Sequence, residues 1–147
     1  MTNDSHRIIH SYFDALNSHD GDKVLSFFAD NAQFKDVASD RLYRGLSAIR
    51  GMVRNRFKAI PNSRMEITNI VGNDNIYAVE YVLSGKNDGP FVGPKSEMPA
   101  SGKDVNVPAC DLIHLRDGKI HMISCYFAAT VMLDQTGTMP VPGKAAA

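Results

Sequence analysis

Apolar residues return at helical spacing early in the chain. Ile8, Ile9, Tyr12, Phe13, Ala15 and Leu16 share one side of a helix predicted from Ser5 to Asn17, with His19-Asp20-Gly21 as its stop. A second helix is predicted from Asp20 or Asp22, carrying Val24, Leu25, Phe27 and Phe28 and ending around Ala29 to Ala32. Ala32 to Val37 alternates like a short strand, and a third helix runs from Leu46 or Ser47 to about Ala59, closed by Pro61 and Asn62. Beyond it the pattern changes to period two, predicting strands over Arg64–Val71, Ile76–Leu83, Asp104–Leu115 and Lys119–Val131. Helices first and strands later define an α+β domain, with a curved sheet around an apolar pocket. Gly85–Lys103, rich in Gly and Pro and too long for a hairpin turn, suits a flap over the pocket mouth. Residues 1–147 read as one domain, with 136–147 as a loose tail.

Asp117-Gly118 between two alternating runs is a strong hairpin signal, and a two-residue turn sets the pairing on either side. That register sets Cys110 opposite Cys125, Leu112 opposite Ile123 and His114 opposite His121 on one face. Asp111, Ile113, Leu115, Ile120, Met122, Ser124, Tyr126 and Ala128 then share the other, more apolar face, which is assigned to the pocket. Asp111 becomes a lone carboxyl on a greasy wall. Desolvation disfavours its charge, so it is expected to stay protonated and to donate a hydrogen bond at neutral pH.

Composition narrows the partners. Sixteen Lys and Arg balance sixteen Asp and Glu, so no basic excess draws in nucleic acid or an anionic membrane. No stretch approaches the roughly 18 apolar residues of a membrane span, and the first residues do not read as a secretory signal, so a cytoplasmic location is expected. Two cysteines are too few for a disulfide framework, and both are read as thiols. His114 and His121 lack a visible third ligand, so neither metal nor cofactor is expected.

Several segments together resemble the nuclear transport factor 2-like superfamily: SYFDALNSHD, FFADNAQFKDV, YRGLSAIRGM, and RDGKI followed by CYFAATVMLDQTG. The resemblance spans Ser5 to about Gly137 and implies a cone of strongly curved antiparallel sheet over three N-terminal helices, enclosing an apolar pocket. Two branches compete. GPFVGP, ASGKDV and DQTG resemble the SnoaL-like polyketide cyclases, whose acid/base aspartate falls at Ala128 here. Ketosteroid isomerases are similar in their catalytic residue types: Tyr12 in the first helix, Asp36 as base, and Asp111 before the hairpin, with a small residue at the position of Ala128. Val37 replaces the proline that often follows the base, and Gly85–Lys103 is longer than the corresponding connection.

The implied activity is a cofactor-free isomerase or cyclase acting on a hydrophobic carbonyl compound. Asp36 removes a proton α to the carbonyl while Tyr12 and neutral Asp111 hold the oxyanion. Tyr43, Phe57, Phe91, Met122, Tyr126 and Ala128 are expected to bind the substrate, and Glu80 either faces solvent or is a second pocket acid. A non-catalytic binding or docking module of the same fold is the alternative. Dehydration and epoxide hydrolysis are further readings; the latter looks for an Arg-x-Asp pattern where this chain has Ala109-Cys110-Asp111, and the missing arginine argues against it. The resemblance further implies a homodimer paired through the outer sheet face.

Overall fold

The first helix, α1 (Thr2–Asn17), buries Ile9, Tyr12, Phe13, Ala15 and Leu16, the stripe that its spacing predicts. This is a computed structural model describing residues 2–93 and 96–139, without the side chains of residues 2 and 3. Asn17 ends the helix by bonding an edge strand in both directions. Its Nδ2 donates to the Met65 carbonyl at 2.9 Å, and its Oδ1 accepts from the Met65 N–H at 2.7 Å.

Next comes α2 (Gly21–Leu25), started by the Asp20 carboxylate accepting from the Lys23 N–H. It stops well short of the predicted end, and β1 (Phe28–Asp36) follows at once. Val24, Leu25 and Phe28 fit a helical stripe, but Phe28, Ala32 and Phe34 equally face one side of a strand. Pairing with Ile120 and Met122 decides for the strand. After β2 (Arg41–Arg44), too short to be read from the pattern, α3 (Gly45–Ala59) buries Ile49, Met52 and Val53.

The remaining elements are β3 (Arg64–Asn73), β4 (Ile76–Lys86), the small hairpin β5 (Phe91–Val92) and β6 (Glu97–Met98), β7 (Asp104–Arg116), β8 (Lys119–Phe127) and α4 (Ala129–Gln135). Six strands form one sheet in the order β2-β1-β8-β7-β4-β3. It is antiparallel as expected except that β1 runs parallel to β8. The architecture is α+β, with α1 packed on β3 and α3 on β1; of the three helices expected before the sheet, α1 and the short α2 precede it, while α3 follows its first two strands. The last strand ends at Phe127 instead of Val131. Beyond it Met132 turns inward onto Val105 and Val107, and the Gln135 amide pairs with both backbone groups of Asn106, so the segment is fixed as a helix.

The tail does not start at residue 136: Thr136 is buried and bonds the Met132 carbonyl, while residues 140–147 lie outside those described. The Gly85–Lys103 connection is pinned at its base. Asn87, fully buried, donates to the carbonyls of Ala59 and Gly89 and accepts from Ser101 N–H and Oγ. Gly89 passes so close to the Lys58 carbonyl that a Cβ there would overlap it.

The hairpin turn is where expected, with Asp117 and Gly118 both at positive φ. Arg116 faces Lys119 and Leu115 faces Ile120, but a bulge follows and His114 faces Met122. Beyond the bulge every partner is displaced by one residue, and a displacement of one exchanges the faces of a strand. Asp111 therefore faces Cys125 and Cys110 faces Tyr126, which corrects the expected pairing of the two cysteines and of the two histidines.

Candidate functional site

Between the inner sheet face and α1 and α3 lies a cavity of about 340 Å³, at the small end for organic ligands. Its wall is mostly apolar, and the β5–β6 hairpin closes one side through Phe91, Val92 and Met98. Tyr12, Asp36 and Asp111 all line it, as do Tyr43, Phe57 and Phe91. The structure thus brings six of the nine expected residues to one place.

It does not bring Met122 and Tyr126. The bulge turns both to the outer face, where Tyr126 is 52% exposed and Cys125 takes the inward position beside Asp111. Ala128 sits at the start of α4, packed against the cluster of Val105, Val107 and Met132, and is not on the cavity wall. Glu80 is exposed and accepts from Asn69, so of the two positions open to it the structure shows the solvent-facing one.

Asp36 reaches the cavity because β1 alternates: Ala32 and Phe34 face the core, and Asp36 continues their side at the strand's end. Asp111 follows the same rule on β7, between Ala109 and Ile113, and is only 3% exposed.

Three residues not anticipated as functional complete the site. Tyr81 donates its O–H to Asp111 Oδ1 at 3.0 Å. The Cys125 thiol lies 3.7 Å from the same Tyr81 oxygen. Arg56 enters from α3, with Nη2 3.7 Å from Asp36 Oδ2 and 4.0 Å from Cys125 Sγ, and its guanidinium lies over the Phe34 ring at 5.0 Å. Two of them carried a sequence signal, whereas the hairpin register assigns Cys125 to the outer face. Tyr81 alternates with Tyr77 and Val79, and Arg56 extends the Ile49, Met52, Val53 stripe by one turn.

Electrostatics separates the groups. Burial raises the Asp111 carboxyl from 3.8 to about 6; the Cys125 thiol, Arg56 and the Tyr81 hydroxyl restrain that rise, while Asp36 adds to it. The direction is the one expected from the sequence, but the donors and Arg56 limit it, so above pH 6 the carboxylate form prevails and not the neutral acid. Burial and then the Asp111 charge push the Cys125 thiol up to about 12, leaving it protonated and inert. Tyr12 and Tyr81 are both raised well above the usual phenol range, first by burial and then by Asp111, so both remain O–H donors. Burial works against the Arg56 charge, yet Cys125, Tyr81, Asp36 and Asp111 together hold it above the ordinary guanidinium range. Among the described residues no group of three or more His, Cys, Asp or Glu assembles as a metal site, and no helix is long and apolar enough to cross a membrane.

Comparisons with known proteins agree with this architecture. A search of curated proteins finds no match. Among solved structures, a candidate SnoaL-like polyketide cyclase from Jannaschia sp. CCS1 is similar with a TM-score of 0.82 at 19% identity, over 94% of each chain. IdmH, a candidate polyketide cyclase from Streptomyces antibioticus, gives 0.75 at 19%, over 90% of this chain and 97% of its own. SalBIII, an epoxide hydrolase/cyclase-like enzyme of pyran ring formation in the polyether salinomycin, gives 0.70 at 21%, over 85% and 91%. At such identities the likeness speaks for the fold. The model of the SnoaL-like domain matches residues 9–123, most of the chain and all the elements that build the cavity except the end of β8 and α4, and the protein therefore belongs to the SnoaL-like domain family.

Proposed function

We propose that this protein is a cofactor-free acid–base enzyme, an isomerase or cyclase that removes a proton α to the carbonyl of a hydrophobic compound and stabilises the resulting oxyanion. One observation carries the reading: Asp36 and Asp111 share a mostly apolar cavity of about 340 Å³ but stand in different surroundings. One is ion-paired with Arg56, and the other is buried and titrates at about 6. Two carboxyls whose environments differ in this way can divide the work of proton acceptor and proton donor.

In this reading Asp36 takes the proton, and Tyr12 donates to the oxygen. Asp111 donates to it as well on the acid side of its titration. Below about pH 6 it is a third member of the constellation, and above that it is an acceptor held by Tyr81. The polyketide cyclases among the structural neighbours make an enolisable polyketide or terpenoid carbonyl the first substrate class to try.

Deuterium exchange at the α-carbon of 2-tetralone, followed by NMR, tests the chemistry without knowledge of the natural substrate. The wild type is expected to accelerate exchange, and Asp36→Asn to lower that rate by roughly 10²–10⁴-fold, the usual worth of a positioned base. Ketones that bind without any exchange would instead identify a ligand-binding module. The protein is further proposed to pair through its outer sheet face, where Val71, Ile76 and Tyr126 are exposed. Sedimentation of Tyr126→Glu against the wild type checks this.

A further inference from the structure

The geometry points to Arg56 as the group that, with Tyr12, holds the developing oxyanion in the reaction proposed above. The inference rests on that reaction. It starts from an inventory of unused hydrogen-bond donors around the cavity. Tyr81 has one O–H, and it is committed to Asp111 at 3.0 Å. The Cys125 thiol turns to the same pair. Asp111 as a carboxylate only accepts.

Arg56 differs. A guanidinium presents five N–H donors. Among the described residues its ion-pair partner is Asp36, with Nη2 3.7 Å from Oδ2, beyond hydrogen-bond distance, and its contact with Cys125 Sγ is 4.0 Å. The Arg56 side chain is only 32% exposed, and it lines a cavity with Phe34 beneath it. A cation brought out of water without an oxygen acceptor is costly unless something supplies that acceptor. The Tyr12 hydroxyl likewise lines the cavity without a hydrogen-bond partner among the described residues. Arg41, Tyr43 and Asn55 also line the cavity with uncommitted donors, but Tyr12 and Arg56 are the two that interact with the Asp111 charge, and Arg56 alone of these donors is also ion-paired with Asp36.

Charge movement in the reaction suits this position. When the α C–H bond breaks, its proton forms an O–H bond on Asp36, and the electron pair becomes the C–C double bond of the enolate as the carbonyl π pair moves onto oxygen. The negative charge thus passes from the Asp36 carboxylate to the substrate oxygen, and Arg56 faces it at both ends of the step. No charge is created, and the guanidinium needs only to exchange one anionic neighbour for another. A donor preorganised toward the oxygen as charge develops is the kind that accelerates the step.

Binding of 2-naphthol, a phenolic stand-in for the enolate, followed by fluorescence across pH, tests the assignment. In the wild type the bound ligand is expected to ionise at least one pH unit below the free ligand, a tenfold shift in the ratio of its two forms. Arg56→Gln should still bind 2-naphthol but lose that shift. A wild type that binds 2-naphthol only in its neutral form overturns the inference, and so does an Arg56→Gln variant that keeps the shift. Should Arg56→Gln fail to fold, Arg56→Lys decides: a smaller shift than in the wild type supports the planar fork, and an undiminished one refutes it. If the shift survives Arg56→Gln and disappears in Tyr12→Phe, the acid–base reading stands and Arg56 has no part in its oxyanion site. If 2-naphthol does not enter the wild-type cavity at all, both readings fall.

Discussion

Replacing Asp111 by Asn should stabilise the protein above pH 6 and do little below pH 4. Asp111 is 3% exposed, and its carboxyl is raised from 3.8 to about 6. Because the folded chain holds this proton more tightly than the unfolded chain does, the contribution is fully present below about pH 4 and is lost as pH rises through 6. About two pKa units at roughly 1.4 kcal/mol each make the ionised form costlier in the fold by about 3 kcal/mol. That figure is already net of the attraction to Arg56 and the bond from Tyr81, both of which hold the value down. Asparagine has nearly the same shape, can accept from Tyr81 through its amide oxygen, and has no charge to desolvate. Urea unfolding of wild type and Asp111→Asn at pH 4.0, 5.0, 6.0 and 7.5 provides the assay, because the other carboxyls titrate alike in both proteins and cancel in the difference. The advantage of the variant should grow by about 3 kcal/mol from pH 4 to pH 7.5 and then level off. A difference independent of pH would refute the reasoning. A difference that grows in favour of the wild type would show that Arg56 stabilises the charge by more than burial penalises it.

Tyr81→Phe removes one bond that lowers the Asp111 titration, so the same pH series should show its midpoint moved upward from about 6; an unmoved midpoint would mean that the 3.0 Å contact contributes nothing. Asn87→Ala leaves the Ala59 and Gly89 carbonyls and the Ser101 N–H without their partner, and should cost roughly 2–4 kcal/mol in denaturant unfolding, with faster proteolysis within residues 88–100. With DTNB at pH 8 the native protein should show one accessible thiol, Cys110, while Cys125 reacts only on unfolding. Mild oxidation should yield no intramolecular disulfide, since Cys110 faces Tyr126 across the hairpin.

Those thiols also show where the sequence stops being legible. Long elements with one clear period were readable: α1, α3, β3, β4 and β7 lie where the apolar spacing puts them, and Asp36 and Asp111 reach the cavity through simple alternation. Boundaries between two periods were not. Phe28 fits the helical stripe of Val24 and Leu25 as well as it fits a strand, and only pairing with a residue some ninety positions away decides between them. The same holds at Ala128, where burial of Met132 under β7 turns a continuation of alternating residues into a helix. Arg56 and Tyr81 were visible in the chain as polar positions on buried stripes. What concealed them is that a stripe position says which way a side chain points but not which acid it will meet.

A single extra residue had the largest chemical effect. The turn at Asp117-Gly118 fixes register only until the next irregularity, and the bulge between His114 and Leu115 adds one residue on the β8 side. Without it Ser124 would face Asp111, Tyr126 would point inward opposite Ala109, and Cys125 would point outward. Asp111 would then meet a serine hydroxyl where it now meets a thiol, and a further phenol would enter the inner face two residues along the strand. The bulge also leaves the Cys125 thiol and Tyr81 around one face of the Asp111 carboxyl, which keeps that group near 6 when burial alone would carry it higher. A bulge has no strong signature in side-chain chemistry, because its cause is strand twist and the packing of both faces at once. The carboxyls that reach the cavity are therefore legible here from local pattern, while the company they keep is set by a non-local backbone feature. That company determines whether Asp111 is protonated or ionised at a given pH.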